Sequence, residues 1–296
     1  MITAMSRRVP SKRGDRYGVQ RMSTSSQGMR FSYALLLLSY FTSTTAIMAQ
    51  SDQPLIGMVL LGPPGTLNSR GVVEELRQTW QLEIDATEAG DTVSVLNVEG
   101  YTLAAGLIPQ PIPGDEVQET AAYSYLWPEA GTEAVAHTGH VIVTLMNAGR
   151  DPVKENLLFT KLVAAVMKNS SAIGFYMGMR TLLIKKDFYL ANTEEIDDQS
   201  LPLFNWLYFG LREDQGKRSV YTYGMADFGK SEMEIVDSKR TMSDLSEMLF
   251  NVSHYVIASD VTLNTGETVG STADQKLNIE RSKGKYLPGE TLKIKY

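Results

Sequence analysis

One stretch, His140–Gly178, restricts the possible folds more than any other. Val141-Ile142-Val143-Thr144-Leu145-Met146 is a short, nearly unbroken apolar run, which suits a strand buried on both faces. Asn147-Ala148-Gly149-Arg150 breaks it. Asp151 then supplies a helix cap, and Pro152 stands at the first helical position, where its missing N–H costs nothing. Val153, Leu157, Leu158, Leu162, Val163, Val166 and Met167 follow at helical spacing and make one wide apolar face. Lys168-Asn169-Ser170-Ser171 closes the helix, and Ala172–Tyr176 reads as a second buried strand. A strand, a helix and a strand with short joints predict a crossover unit with parallel strands and a right-handed connection.

Upstream, Leu55–Leu61 is a strand and Gly62-Pro63-Pro64-Gly65 a turn. Asn68 or Ser69 caps a helix carrying Val72, Val73, Leu76 and Trp80. Thr92–Val98 and Tyr101–Ile108 form a hairpin through Glu99-Gly100. The proline-rich 109–114 is a stiff connector, and Asp115–Tyr125 and Pro128–Ala136 read as a helix broken near Pro128. Strand, helix, strand, strand, helix, strand is the ferredoxin-like order, here extended by the crossover. Beyond the acidic Glu194–Asp198, the aromatic-rich Phe204–Arg212 and Arg218–Gly224 predict an antiparallel hairpin. Met233–Val236, Leu277–Arg281 and Thr291–Tyr296 add strands, and Ser243–Ala258 is helical, with Leu245, Met248, Leu249, Val252, Tyr255 and Val256 on its apolar face. The expectation is an α+β protein: a ferredoxin-like lobe at 50–192 extended by a βαβ crossover, packed on a C-terminal lobe at 193–296 of antiparallel strands and one long helix.

Residues 1–49 have a different character. They carry a net charge of +6, whereas residues 50–296 carry −12. Arg30 precedes the apolar Ala34–Leu38, and small residues lead to Ala49, the layout of a secretory signal. A leader at 1–49, cut near Ala49, makes this an exported protein, periplasmic or secreted; the alternative is a cytoplasmic protein with a mis-called start. The apolar run is too short for a membrane span, so no stable membrane insertion is expected after removal of the leader. An acidic body argues against nucleic acid as partner, because phosphates need a basic face. With no cysteine in the chain, disulfides, cysteine-ligated zinc and thiol catalysis are excluded.

Each chemical motif lacks something essential. Gly62-Pro63-Pro64-Gly65-Thr66 opens like a phosphate loop but has no lysine. Asp227-Phe228-Gly229 matches a kinase triplet without the rest of that signature. His137 and His140 are the metal candidates, without an evident third ligand; a histidine near a helix C-terminus also serves the dipole. Glu194, Glu195, Asp197 and Asp198 do not follow a calcium-loop pattern and read as a solvated linker. Glu232 and Glu234 alternate on a strand and share a face there. No cofactor is implied. Tyr123, Tyr125 and Trp127 are the binding candidates, with Trp127 partly exposed beside the break at Pro128, whereas Trp206 is expected in the core, mid-strand between Phe204 and Tyr208.

Several segments together carry a resemblance. They are Tyr123–Pro128, His137–Val141, Met146–Val153, Asn205–Gly210, Ser219–Gly224, Phe228-Gly229-Lys230 with Met233-Glu234-Ile235, and the helix through Asn251 and His254-Tyr255. The body from 55 to 296 resembles bacterial proteins carrying the domain-of-unknown-function family 4261. The resemblance implies no established activity, catalytic residue or cofactor, and the leader departs from the usual start at the first strand. The expected function is a non-catalytic, protein-binding or accessory role, including an immunity-type one. The alternative is a hydrolase with a carboxylate/histidine centre built from His137, His140, Glu232 and Glu234. For the leader, mass spectrometry of the native protein is expected to find an N-terminus near Gln50 and none upstream. An uncleaved chain confined to the cytoplasmic fraction would refute export.

Overall fold

The computed structural model describes residues 54–270, 272 and 274–296. The expected leader lies outside these residues. The first sheet contains β1 (Leu55–Leu61), β2 (Ala86–Ala89), β3 (Val93–Val98), β4 (Tyr101–Ile108), β5 (Gly139–Met146), β6 (Ala172–Met177) and β7 (Leu182–Lys185). Its helices are α1 (Ser69–Gln78), α2 (Glu116–Ala121), α3 (Ala130–Glu133), α4 (Pro152–Lys168) and α5 (Lys186–Ala191). The strand order is β2-β3-β4-β5-β1-β6-β7, and every neighbouring pair is antiparallel.

The α+β class is as the sequence implies, and the ferredoxin-like order is present with its halves reassigned. β1-α1-β4 and β5-α4-β6 interleave as β6-β1-β5-β4, so β1 lies between β5 and β6 and antiparallel to both. The crossover is therefore one half of the unit and not an extension of it; the extensions are β2 and β3 at one edge and β7 at the other. Helix lengths explain this. α4 runs for 17 residues with a continuous buried face, long enough to cover a sheet, whereas 115–136 breaks into the short α2 and α3 and packs on the opposite face. The start of α4 is tightly capped: Asp151 Oδ1 accepts from Lys154 N at 3.0 Å, and buried Glu155 accepts from the backbone N–H groups of Gly149, Arg150 and Asp151.

Both faces of the first sheet are covered, as the apolar runs require. Val59 and Leu61 face α1 and α4, while Leu60 faces Trp127, Ala130 and Ala134 on the other side. Trp127 corrects an expectation: it is 1% exposed. The break at Pro128 turns the ring inward over Gly174, where a Cβ would stand 2.5 Å from the indole, and its Nε1 donates to Glu133 Oε2 at 2.8 Å. Gly174 in mid-strand is the signal that made room for it.

The second sheet contains β8 (Tyr208–Asp214), β9 (Lys217–Tyr223), β10 (Met233–Ser238), β11 (Thr268–Val269), β12 (Leu277–Lys283) and β13 (Glu290–Ile294). Its order is β11-β12-β13-β10-β9-β8, antiparallel except for the parallel pair of β10 and β13. Gln215 and Gly216 both have positive φ, the geometry a two-residue hairpin turn needs. One face packs on α7 (Met242–Ala258), which starts with a capping box between Thr241 and Asp244.

The two sheets meet: one hydrophobic cluster centres on the second sheet and α7, with Val153 and Leu157 of α4 against it, while Tyr208 and Tyr221 of the second sheet join the cluster of the first. Trp206 is buried as expected, although in the one-turn helix α6 (Leu203–Trp206) and not in a strand. Its Nε1 donates to Thr160 of α4 at 2.8 Å, and its ring stacks on Phe228. Beside it lies buried Arg180, from the 3-10 turn after β6. Nε donates to Asp227 Oδ2 at 2.7 Å, and Nη1 donates to Asn156 Oδ1 at 2.8 Å and to the Trp206 carbonyl at 3.3 Å. Among the described residues no helix is long and apolar enough to cross a membrane. Trp127→Ala and Trp206→Ala are each expected to cost about 3–5 kcal/mol in denaturant unfolding, because each leaves a large cavity. A loss well below about 1 kcal/mol for Trp127→Ala would contradict its burial.

Candidate functional site

The face of the second sheet turned away from α7 carries tyrosines. Tyr208 on β8 stands opposite Tyr223 on β9, and Gly210 stands opposite Tyr221. The glycine is required there, since a Cβ at 210 would lie 2.0 Å from the Tyr221 ring. The rings continue in both directions. Tyr125, from the segment between α2 and α3, lies 6.4 Å from Tyr208; Tyr208 lies 6.1 Å from Tyr221; and Tyr286 stacks on Tyr221 at 5.4 Å with 17° between planes. The Arg212 guanidinium sits 5.8 Å from the Tyr221 ring centre. Tyr208 and Tyr221 are buried, while Tyr123 is 46% and Tyr125 41% exposed, with Leu126 and Tyr223 exposed beside them. Burial, with Tyr221 adding to it, pushes the Tyr208 phenol up to about 12. Burial also raises Tyr125 and Tyr221. The hydroxyls are therefore neutral groups that both donate and accept.

A buried ion pair fixes this arrangement. Glu234 on β10 is fully buried and pairs with Lys293 Nζ on β13 at 2.7 Å. It also accepts from Lys285 N and Tyr286 N, each at 3.0 Å, which draws the 284–289 loop across β9. Lys293 Nζ donates further to Lys283 O at 3.0 Å and to Thr291 Oγ1. The Tyr286 hydroxyl donates to Ser219 Oγ at 3.1 Å. Burial alone would raise the Glu234 carboxyl. The Lys285 N–H, the Lys293 ammonium and the Tyr286 N–H outweigh it and hold the carboxyl below its ordinary value.

The other suspected residues serve the fold. His137 Nδ1 donates to Ala134 O at 2.8 Å and its Nε2 accepts from Ile112 N at 2.7 Å, so both ring nitrogens hold backbone. His140 Nδ1 donates to Gln110 O at 2.9 Å; burial and the adjacent His137 hold that imidazole below its usual range, against the pull of the Gln110 carbonyl. The two histidines thus clamp the proline-rich connector. Glu232 does not share the surroundings of Glu234. It precedes β10 and accepts from Gly224 N at 2.8 Å, Met225 N at 2.9 Å and the Thr222 hydroxyl at 2.7 Å, closing the turn that carries Asp227; burial pushes its carboxyl up despite these donors. In the acidic stretch, Asp197 Oδ1 caps Gln199 N and Ser200 N. Among the described residues no group of three or more His, Asp or Glu is placed to hold a metal ion.

The sequence reading reached Tyr123 and Tyr125 but missed Tyr286 and the Glu234–Lys293 pair. Two signals were available: a glycine in mid-strand at 210, and single charges inside otherwise apolar strands, Met233-Glu234-Ile235 and Leu292-Lys293-Ile294.

Part of the chain that builds this face is similar in sequence to a known family. Residues 221–295 match the family described as Domain of unknown function (DUF4261). The DUF4261 match covers about a quarter of the chain and holds Tyr221, Tyr223, Glu234, Tyr286 and Lys293. Tyr123, Tyr125 and Tyr208 lie outside it, as do the resembling segments upstream of residue 219. No curated protein and no solved structure matches the chain.

The Glu234 contacts carry a pH dependence. A carboxyl held low in the folded state contributes stability that is complete above its ordinary value of 4.5 and is lost as pH falls through the folded value. Unfolding of the wild type is therefore expected to steepen in pH dependence below about pH 5. Glu234→Gln, which leaves Lys293 buried without its anion, is expected to cost about 3–5 kcal/mol at neutral pH and to lose part of that dependence. Equal pH profiles for the two proteins would show that Glu234 does not hold the face.

Proposed function

We propose that this is a non-catalytic binding protein, an accessory or immunity-type partner of another protein, and that the tyrosine face is its contact surface. The observation that carries the reading is the continuous set Tyr125–Tyr208–Tyr221–Tyr286, braced from below by a buried ion pair and exposed at Tyr123, Tyr125, Leu126 and Tyr223. Tyrosine gives large contact area with few rotatable bonds and a polar tip, which suits association with another protein. Rigid bracing lowers the ordering cost of binding. The acidic body favours a protein over a nucleic acid as partner. His137, Glu232 and Glu234 support the reading from the other side, because their polar atoms are engaged in holding backbone.

The test starts from the immobilised full chain. Host proteins retained on it are identified by mass spectrometry, and the affinity of the purified partner is then measured. A Tyr123→Ala/Tyr125→Ala variant is expected to lose about 2 kcal/mol or more of binding, with an unfolding midpoint close to that of the wild type. Undiminished binding by the folded variant would exclude the tyrosine face as the contact surface.

A further inference from the structure

A second surface lies on the first sheet, on the side of α2. Here β1, the end of β6 and α2 enclose a cleft of about 520 Å³, within the range of about 300–1,000 Å³ usual for ligand sites. One wall is apolar and open: Ile56 is 42% and Met179 78% exposed, with Met58 half-buried between them and the core. The other wall is acidic. Glu116 and Glu119 stand three residues apart on one side of α2, and Glu116 Oε2 accepts from the Tyr176 hydroxyl at 3.2 Å. Burial and then Glu116 raise the Tyr176 phenol, with Glu119 adding to the effect, so both carboxylates act on the same hydroxyl. Among the described residues neither carboxylate forms an ion pair.

We propose that this cleft docks a basic amphipathic segment of a partner protein, with an apolar side chain against Ile56, Met58 and Met179 and a lysine or arginine beside Glu116 and Glu119. Unbranched, polarisable methionine side chains adapt to irregular apolar partners. Alternating apolar and cationic residues on one face of a helix present both chemistries at once. Charge complementarity selects the occupant: two unpaired carboxylates on a body of net −12 attract a cationic segment and repel an acidic one. This cleft adjoins Tyr123 through Thr120 but is lined by none of the tyrosines of that face, and its test does not depend on that reading.

The full chain, labelled with ¹³C at the methionine methyl groups, is titrated with a synthetic helical peptide of leucine and lysine. A counterpart peptide carries glutamate in place of every lysine. Met58→Leu and Met179→Leu identify the two resonances. Both are expected to shift saturably with the lysine peptide and to stay fixed with the glutamate peptide. Glu116→Gln/Glu119→Gln is expected to weaken binding about tenfold or more, and added salt to narrow that gap. Tyr123→Ala/Tyr125→Ala is expected to leave this titration unchanged. Unmoved Met58 and Met179 resonances, equal response to the two peptides, or undiminished affinity after the double glutamate change would each overturn the proposal.

Discussion

One guanidinium joins the two halves of the molecule. Arg180 is buried, and a buried cation is costly unless charge and hydrogen bonds meet it. Here Asp227 meets Nε, and Asn156 and the Trp206 carbonyl meet Nη1, while Nη2 has no hydrogen-bond partner among the described residues and the Phe228 ring lies 5.7 Å from the guanidinium carbon. These partners come from three places, the turn after β9, the first turns of α4 and the end of α6, and they meet on the 3-10 turn that follows β6. Glu232 shapes the turn that presents Asp227, so the polar chain runs from Glu232 through the turn to Arg180 and on to α4. Such a network contributes less to net stability than to the choice of a single arrangement, because a shifted lobe would leave a charge buried without partners.

That arrangement has a consequence at the surface. Tyr125 belongs to the first lobe and Tyr208 to the second, and their rings meet only when the two sheets hold one relative position. The tyrosine face is therefore a property of the junction. Its inner half is set differently, by Glu234, paired with Lys293, holding the 284–289 loop so that Tyr286 stacks on Tyr221, whose ring lies against Gly210. A polar junction fixes one end and a buried ion pair fixes the other, with apolar packing between them.

How much of this was legible follows from the range of each interaction. The β5-α4-β6 unit was readable because cap, proline and apolar spacing are local. The choice of β1 as the strand between β5 and β6 was not, since it depends on which helix is long enough to cover the sheet. Trp127 was misplaced for a related reason: the ring is received by Gly174, far along the chain, while the local sequence shows only a break at Pro128. Trp206 was placed in the core correctly, yet alternation of Phe204, Trp206 and Tyr208 suggested a strand where a single helical turn precedes β8. Glu232 and Glu234 looked equivalent by spacing, and differ because β10 begins between them.

The polar residues most suggestive of chemistry in the sequence are those the fold engages most fully. A general base needs a lone pair directed at a reactant. His137 directs its nitrogens at Ile112 and Ala134, Glu232 directs both oxygens at the 222–225 turn, and Glu234 holds a lysine and two backbone N–H groups. Release of any one of them would leave a buried donor or acceptor without its partner, a cost of about 1–3 kcal/mol before any reaction begins. The side chains left exposed at the two surfaces are of another kind: Tyr123 and Tyr125 at the junction, and Ile56, Met179 and Glu119 around the α2 cleft. They offer contact area and charge at fixed positions, and these are the physical requirements of recognition.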